Sequence, residues 1–476
     1  MSDTDLCYMP ATDLAAAIRL KRVSPVQVVN AVLARIEQYN PQLNAFCLVT
    51  ADTARQAAQA AEQAVMHGDR LGPLHGVPVS IKDLVITQDV RTMRGSKLYE
   101  HDVPAEDAPV VERLKAAGAI ILGKTTTPEF GFKGVTDSPV TGITRNPWNL
   151  ERTPGGSSGG AGAAVAIGMG PLAIGTDGGG SIRIPSSFCG VYGLKPHVGR
   201  VPVYPASATG DLSHAGPMTR TVRDAALMLN AIAGADDRDR FSLPTSHPDY
   251  LKAVEGDIRG LRLAWSPDLG FAIVDPQVRQ ITAEAVKAFA ELGCDVEEVN
   301  PSFDNPGELF LHFFYVNIGA MLQDYPGYES QIDPQLLANI AEVKGVSGPD
   351  YARSILRRSA IFEQIRRFFA SYDVLLCPTV AVPPFEVGLE GPTQIAGRAV
   401  DRRAWIAMTP LFNLTGQPAA TVPCGFTSDG LPIGLQIVGH RFDEATVLRA
   451  SAAFEAVRPW AQKRPGGFLP PPMAHS

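Results

Sequence analysis

The chain has 476 residues, 45% of them hydrophobic and 19% charged, and a formal net charge of −7, a balance usual for a soluble globular protein that argues against nucleic acid as the main partner. Its six cysteines, Cys7, Cys47, Cys189, Cys294, Cys377 and Cys424, are scattered without a CxxC, which argues against a disulfide framework or a zinc site and for a reducing compartment. The N-terminal MSDTDLCYMP has no basic and no apolar segment, and no apolar run reaches the ~18 residues of a membrane span, so a cytoplasmic protein without a membrane partner is expected.

In chain order, 12–20 and 24–39 read as helices, the second with Ser24 as N-cap and Pro25 at its first position. Residues 44–49 read as a strand and the Ala/Gln-rich 52–67 as a helix with one exposed face. A buried strand at 77–81, a helix at 108–117 and a buried strand at 119–122 follow. Gly118 to Thr125 matches the spacing of a phosphate-binding loop. Its four middle residues are strand-like, however, and cannot cradle phosphates. The apolar run 161–175, broken by Gly168, Gly170 and Pro171, suits a short buried helix and then a strand at 172–176. Further on, 221–233 reads as an amphipathic helix, 261–265 as a strand, 276–292 as a helix and 295–299 as a strand. Residues 300–370 are mostly helical and hold Phe310, Phe313, Phe314, Tyr315, Tyr325 and Tyr328, as for a cap over a sheet. Strands at 374–377, 419–423 and 433–438, a core segment at 405–414 and a helix at 445–457 close the chain, and the tail 458–476, with five prolines, is expected to be extended or loose. This alternation points to an α/β protein: one large α/β/α sandwich around a mixed, mostly parallel sheet, with a helical cap segment.

Three stretches carry chemistry. At the end of the 77–81 strand stands Lys82, costly to bury unless partnered, though it could also snorkel to the surface. Two glycine-serine clusters, 155–160 and 177–181, bracket the apolar run. Such clusters are often flexible turns. Flanked by core-like sequence, they instead let backbone N–H groups converge beside a serine, as acyl transfer needs. The N–H groups of Gly178, Gly179, Gly180 and Ser181 can form such an oxyanion nest.

Together GVPVSIKD at 76–83, GGSSGGAGAAVA at 155–166 and GTDGGGSIRIPSSFCGVYGLKP at 175–196 resemble the amidase signature family. The resemblance continues in HAGPMTRTVRD from His214, FNLTGQPAATVPCGF and GLPIGLQIVG, and spans roughly residues 10–457. It implies amide hydrolysis by a Ser–Ser–Lys triad: Ser181 as nucleophile, Ser157 after a cis peptide as proton shuttle, Lys82 as a neutral base. It implies no metal and no cofactor, a small-molecule amide substrate, a possible homodimer, and an acyl pocket bordered by 127–140, with Phe130 and Phe132. On the same resemblance the chain divides into an N-terminal helical segment (1–70), the signature core (71–300), a helical cap or substrate-pocket segment (301–372) and the rest of the sheet with the tail (373–476). Gly178 departs from it, since many members carry a larger residue there.

Burial beside hydroxyls would lower the Lys82 pKa, and Asp83, pointing to the opposite strand face, should act weakly on it. Ser158 and Thr176 are candidates for supporting hydrogen bonds. Arg183 could brace the loop through Asp177 or meet a substrate carboxylate. The activity expected is that of a serine amidohydrolase on carboxylic amides, including aryl or acyl amides, with esters or carbamates as side substrates. One alternative is the amidotransferase A-type subunit of a glutamine-dependent tRNA amidation complex. Less favoured are an α/β-hydrolase, since 155–159 satisfies G-x-S-x-G, and a non-catalytic binding protein. The turn sequence before Ser157 speaks against the hydrolase, because a nucleophile elbow follows a strand.

Overall fold

The computed structural model describes residues 1–244 and 247–466. Eleven strands make one sheet: β1 (Phe46–Val49), β2 (Pro78–Lys82), β3 (Ile120–Thr125), β4 (Leu172–Asp177), β5 (Tyr192–Lys195), β6 (His214–Thr219), β7 (Arg262–Trp265), β8 (Asp295–Glu298), β9 (Val374–Pro378), β10 (Ala419–Phe426) and β11 (Pro432–Gly439). Their order across the sheet is β1-β3-β2-β4-β6-β5-β10-β11-β9-β7-β8.

The α/β class and the mixed sheet match expectation, but the parallel majority does not. Only β3–β2, β2–β4, β9–β7 and β7–β8 are parallel, and the other six pairs are antiparallel. Parallel pairing needs a crossover long enough for a helix. The segments carrying Pro109–Ala116, Gly159–Ala166 and Pro276–Glu291 supply such helices. Among the antiparallel neighbours, β10 returns into β11 through a short turn, while the others pair strands that long segments separate. Strands β5 and β6 had no sequence prediction. Gly193, Gly216 and Pro217 interrupt them, and glycine and proline weaken any strand reading.

Most central strands are buried along their length, β2, β6, β9 and β11 without an exposed residue. Covered on both faces, β9 and β11 read as largely apolar runs rather than alternating ones. The helix Pro25–Leu43 starts as its sequence implies, with Pro25 at its first turn and a capping box between Ser24 and Gln27. The phosphate-loop pattern is strand β3, as its middle residues suggest.

Apolar packing falls into two clusters. One joins the N-terminal helices to the sheet. The other gathers Phe310, Phe313, Phe314 and Tyr315 with Phe132, Trp405 and Phe412. The helices of the second are Gly307–Leu311, Asn317–Leu322, Pro334–Glu342 and Gly348–Phe368, with a π-helical turn at His312–Val316. The first residues of the tail are not loose: Trp460 is buried and donates to the Arg220 carbonyl at 2.8 Å. The rest of that expectation, 467–476, lies outside the described residues. Among the described residues no helix is long and apolar enough to cross a membrane.

Candidate active site

Strands β2 and β4 are parallel neighbours, with Ile81 beside Ile174, so their C-terminal ends open at the same edge, where α/β sheets bind ligands. Lys82 ends β2, and Asp177 ends β4 and leads into the glycine loop 178–181. The segment before the helix Gly159–Ala166 brings Ser157 to the same edge. Ser158 ties it there: its Oγ donates to the Thr176 carbonyl at 3.1 Å, accepts from the Thr176 N–H at 3.2 Å, and its N–H donates to the Ser181 carbonyl at 3.1 Å. The Gly156–Ser157 peptide is cis.

Lys82 is wholly buried. Its Nζ lies 2.7 Å from Ser157 Oγ and 2.9 Å from Thr176 Oγ1. Burial drives its pKa well below the ordinary lysine value, and the Asp177 charge pulls weakly the other way. Asp83 faces away from it, as strand alternation requires, and accepts from the Met93 N–H at 3.3 Å. Its own pKa rises to about 6 through burial, with Lys124 opposing.

Asp177 and Arg183 form a fully buried ion pair, Nε to Oδ2 at 3.0 Å and Nη2 to Oδ1 at 2.9 Å. Burial, the largest single effect, would raise the Asp177 pKa; the Arg183 charge and hydrogen bonds, with the Lys195 charge and the Asn413 hydrogen bond, together outweigh it and hold the carboxyl below the usual carboxylate range. The other Arg183 donors go to the Thr409 carbonyl, Gln436 Oε1 and Asn413 Oδ1 at 2.9, 2.7 and 2.6 Å. All five guanidinium N–H groups are thus engaged within the protein. Arg183 braces the loop, and no donor remains for a substrate carboxylate.

The same carboxylate changes the expected oxyanion set. Asp177 accepts from the Gly180 N–H at 2.7 Å and the Ile182 N–H at 3.1 Å. The Gly180 N–H therefore points at Asp177 and is withdrawn from the nest. The N–H groups of Gly178, Gly179 and Ser181 have no acceptor among the described residues. Thr409 Oγ1 donates to the Gly179 carbonyl at 2.7 Å and Asn413 Nδ2 to the Asp177 carbonyl at 3.0 Å, holding the loop from the C-terminal part of the chain. Asn413 and Gln436 lie inside quoted motifs without a role assigned to them, and Thr409 carried no signal at all.

Ser181 borders two cavities, one of about 540 Å³ and one of about 180 Å³. Phe132 lines the larger and Phe130 the smaller, while Gly131 lines both. Phe310 and Phe314, at 5.1 Å between ring centres, cover the glycine loop. A Cβ on Gly179 would lie 2.5 Å from the Phe310 ring, and one on Gly178 3.2 Å from the Phe314 ring. Gly178, the departure from the family pattern, makes room for Phe314.

Among the described residues the α/β-hydrolase alternative finds no histidine hydrogen-bonded to Ser157. His214 Nδ1 faces the Asp177 and Leu212 carbonyls, and His197 Nδ1 faces the Val198 carbonyl. The polar partner of Ser157 is Lys82, and no strand runs into Ser157.

A family model described as Amidase matches residues 27–448. The chain is 41% identical over 476 residues to an acylamidase from Rhodococcus erythropolis, covering 98% of this chain and 99% of that protein. It is 37% identical over 494 residues to the A-type subunit of a glutamyl-tRNA(Gln) amidotransferase from Roseiflexus sp. (strain RS-1), covering 97% and 99%. A solved bacterial aryl acylamidase of the amidase signature enzymes superposes with a TM-score of 0.90 at 34% identity, over 96% of this chain and 97% of that one.

Proposed function

The chain belongs to the amidase signature family, and from that membership we propose how its residues hydrolyse a carboxylic amide. The enzyme is a hydrolase of carbon–nitrogen bonds in linear amides. Ser181 Oγ attacks the amide carbonyl while Ser157 takes its proton and passes its own to the neutral Lys82 amine. The N–H groups of Gly178, Gly179 and Ser181 hold the oxyanion, each such donor being worth ~3–4 kcal/mol of barrier. The proton then returns through Ser157 to the leaving nitrogen, the C–N bond breaks, and an acyl-enzyme remains on Ser181. Water attacks that ester by the same relay and releases the acid.

The observation that carries this reading is the contact of Lys82 Nζ with Ser157 Oγ at 2.7 Å, with the lysine wholly buried. A neutral amine has two hydrogens and one lone pair, so it can accept from Ser157 while donating to Thr176 Oγ1. The acylamidase relatives support aryl and acyl amides as substrates; esters or carbamates as side substrates are part of the same proposal. Six free cysteines support a cytoplasmic protein, and light scattering tests the homodimer.

Treatment with a fluorophosphonate followed by peptide mass mapping tests the nucleophile. Label on Ser181, lost in Ser181→Ala, is expected; an unlabelled Ser181 beside an active enzyme contradicts it. The amidotransferase reading draws support from the Roseiflexus relative. It predicts that the purified chain turns over glutamine only with its partner proteins and leaves anilides untouched.

A further inference from the structure

We propose that the smaller cavity is the subsite for the leaving amine, one that admits only compact amines and favours those carrying a further N–H or O–H donor, while the larger cavity takes the acyl group. This rests on the hydrolase reading above. The first argument is the route of the proton. The departing nitrogen must collect its hydrogen from Ser157, so it leaves on the side that Ser157 faces. Ser157 and Thr176 border the smaller cavity and not the larger. Ser181 borders both, and Gly131 and Phe314 form the neck between them. An amide carbonyl at Ser181 therefore has its nitrogen toward about 180 Å³ and its acyl carbon toward about 540 Å³.

The second argument is the chemistry of the walls. Ser207, Thr209 and Ser213 line the smaller cavity and form a closed ring of hydroxyls. Ser213 Oγ donates to Ser207 Oγ at 2.7 Å; the Ser207–Thr209 and Thr209–Ser213 oxygens are 3.0 and 2.7 Å apart. With Ser213 donating to Ser207, ring closure has Ser207 donate to Thr209 and Thr209 to Ser213. Every hydroxyl hydrogen is then used within the ring, and Thr209 and Ser213 each keep one lone pair. The ring can accept a hydrogen bond but cannot give one. Thr209 lies beside the loop, its Oγ1 3.8 Å from where a Gly178 Cβ would stand, so the acceptors share the cavity that Ser157 and Ser181 border. The larger cavity has Phe271, Ile273, Val400 and Ile406 along it, an apolar stretch suited to an alkyl or aryl acyl chain, with Lys133, Glu308, Glu390, Asp401 and Arg403 also on its walls.

Two series of amides assayed with the purified enzyme test the assignment. With the acyl group fixed and the amine enlarged from aniline to a naphthylamine, kcat/KM is expected to fall at least tenfold. With aniline fixed and the acyl group lengthened from acetyl to octanoyl, it is expected not to fall. The reverse pattern overturns the assignment while leaving amide hydrolysis intact; no turnover of any member overturns the hydrolase reading and the assignment with it. Met321→Ala, in the wall of the smaller cavity alone, is expected to raise the naphthylamide-to-anilide ratio at least fivefold; a change in the acyl-length profile instead counts against the proposal. Amides of 2-aminoethanol are expected to beat those of 2-methoxyethylamine at least fivefold, and Thr209→Val to erase that preference. Equal rates for the two in the wild-type enzyme overturn the donor preference.

Discussion

Lys82 is held where a lysine is least at ease, and the proposed role as base depends on that position. Desolvation, the largest effect on its pKa, favours the neutral amine. The pH dependence of kcat/KM should therefore rise as the amine loses its proton, at a pH well below that of an ordinary lysine. Lys82→Arg, which stays charged, should lose at least about 10³-fold in kcat, within the range general base catalysis supplies. Stability carries the same sign. In the unfolded chain the amine holds a proton up to about 10.4, in the folded chain only up to its lowered value. Between these two the unfolded state binds more protons, so folding stability grows as pH rises. Thermal melting of wild type and Lys82→Met from about pH 7 to about pH 9.5 should show the wild type gaining on the variant. A constant difference would mean that the buried amine is charged.

At the scale of elements, the site is a meeting of strand ends and one helix start, and two features keep them in register. The helix Gly159–Ala166 lies directly on the backbone of neighbouring segments. A Cβ on Gly160 would stand 2.4 Å from the Ala45 carbonyl oxygen and 2.5 Å from the Thr126 nitrogen, backbone atoms that cannot swing aside. Gly160→Ala is expected to cost about 3 kcal/mol in urea unfolding, the upper range for overpacking, and to lower kcat by shifting Ser157. The second feature is the Asp177–Arg183 pair, which links the β4 loop to Gln436 on β11. Arg183→Leu leaves a buried carboxylate alone, an expected loss of ~3–5 kcal/mol at neutral pH. Because the folded Asp177 pKa is depressed, its contribution is present above the ordinary carboxylate range and lost only as pH falls through the lower folded value. The deficit of the variant should therefore narrow in acid.

Over the whole molecule, the helical segment roofs the strand edge, and its Phe310, Phe314 and Tyr315 line the larger cavity that Ser181 borders. Tyr315 couples roof to floor: its hydroxyl donates to the Phe132 carbonyl at 3.1 Å and accepts from Asn339 Nδ2 at 3.0 Å. Tyr99 and Tyr325 make a second hydroxyl contact between loop and roof. Tyr315→Phe strands two buried polar groups, so calorimetry should register a loss of ~1–3 kcal/mol. Because Phe132 and Tyr315 both line the larger cavity, KM should rise for long acyl chains more than for acetyl amides.

The residues brought together at the strand edge, Lys82, Ser157 and Ser181, were legible because three short motifs together resemble a known family; taken locally, Lys82 could have snorkelled to the surface and the glycine-serine clusters could have been flexible turns. Helices such as Pro25–Leu43 were legible locally: cap, first-turn proline and period all lie within one segment. Strands β5 and β6 were not, since glycine and proline hide a strand whose stability comes from neighbours on both sides. Nor was the fate of the Gly180 N–H, or the full engagement of Arg183, whose partners Thr409, Asn413 and Gln436 lie more than two hundred residues away. What the amino-acid order determined alone was which groups could do acyl transfer and which segments would form around them, because propensity, capping and turn chemistry act over a few residues. Which donors stay free, which charges are neutralised and how the space beside Ser181 divides were decided by packing, because burial and hydrogen-bond partnership depend on atoms that only the folded chain brings into contact.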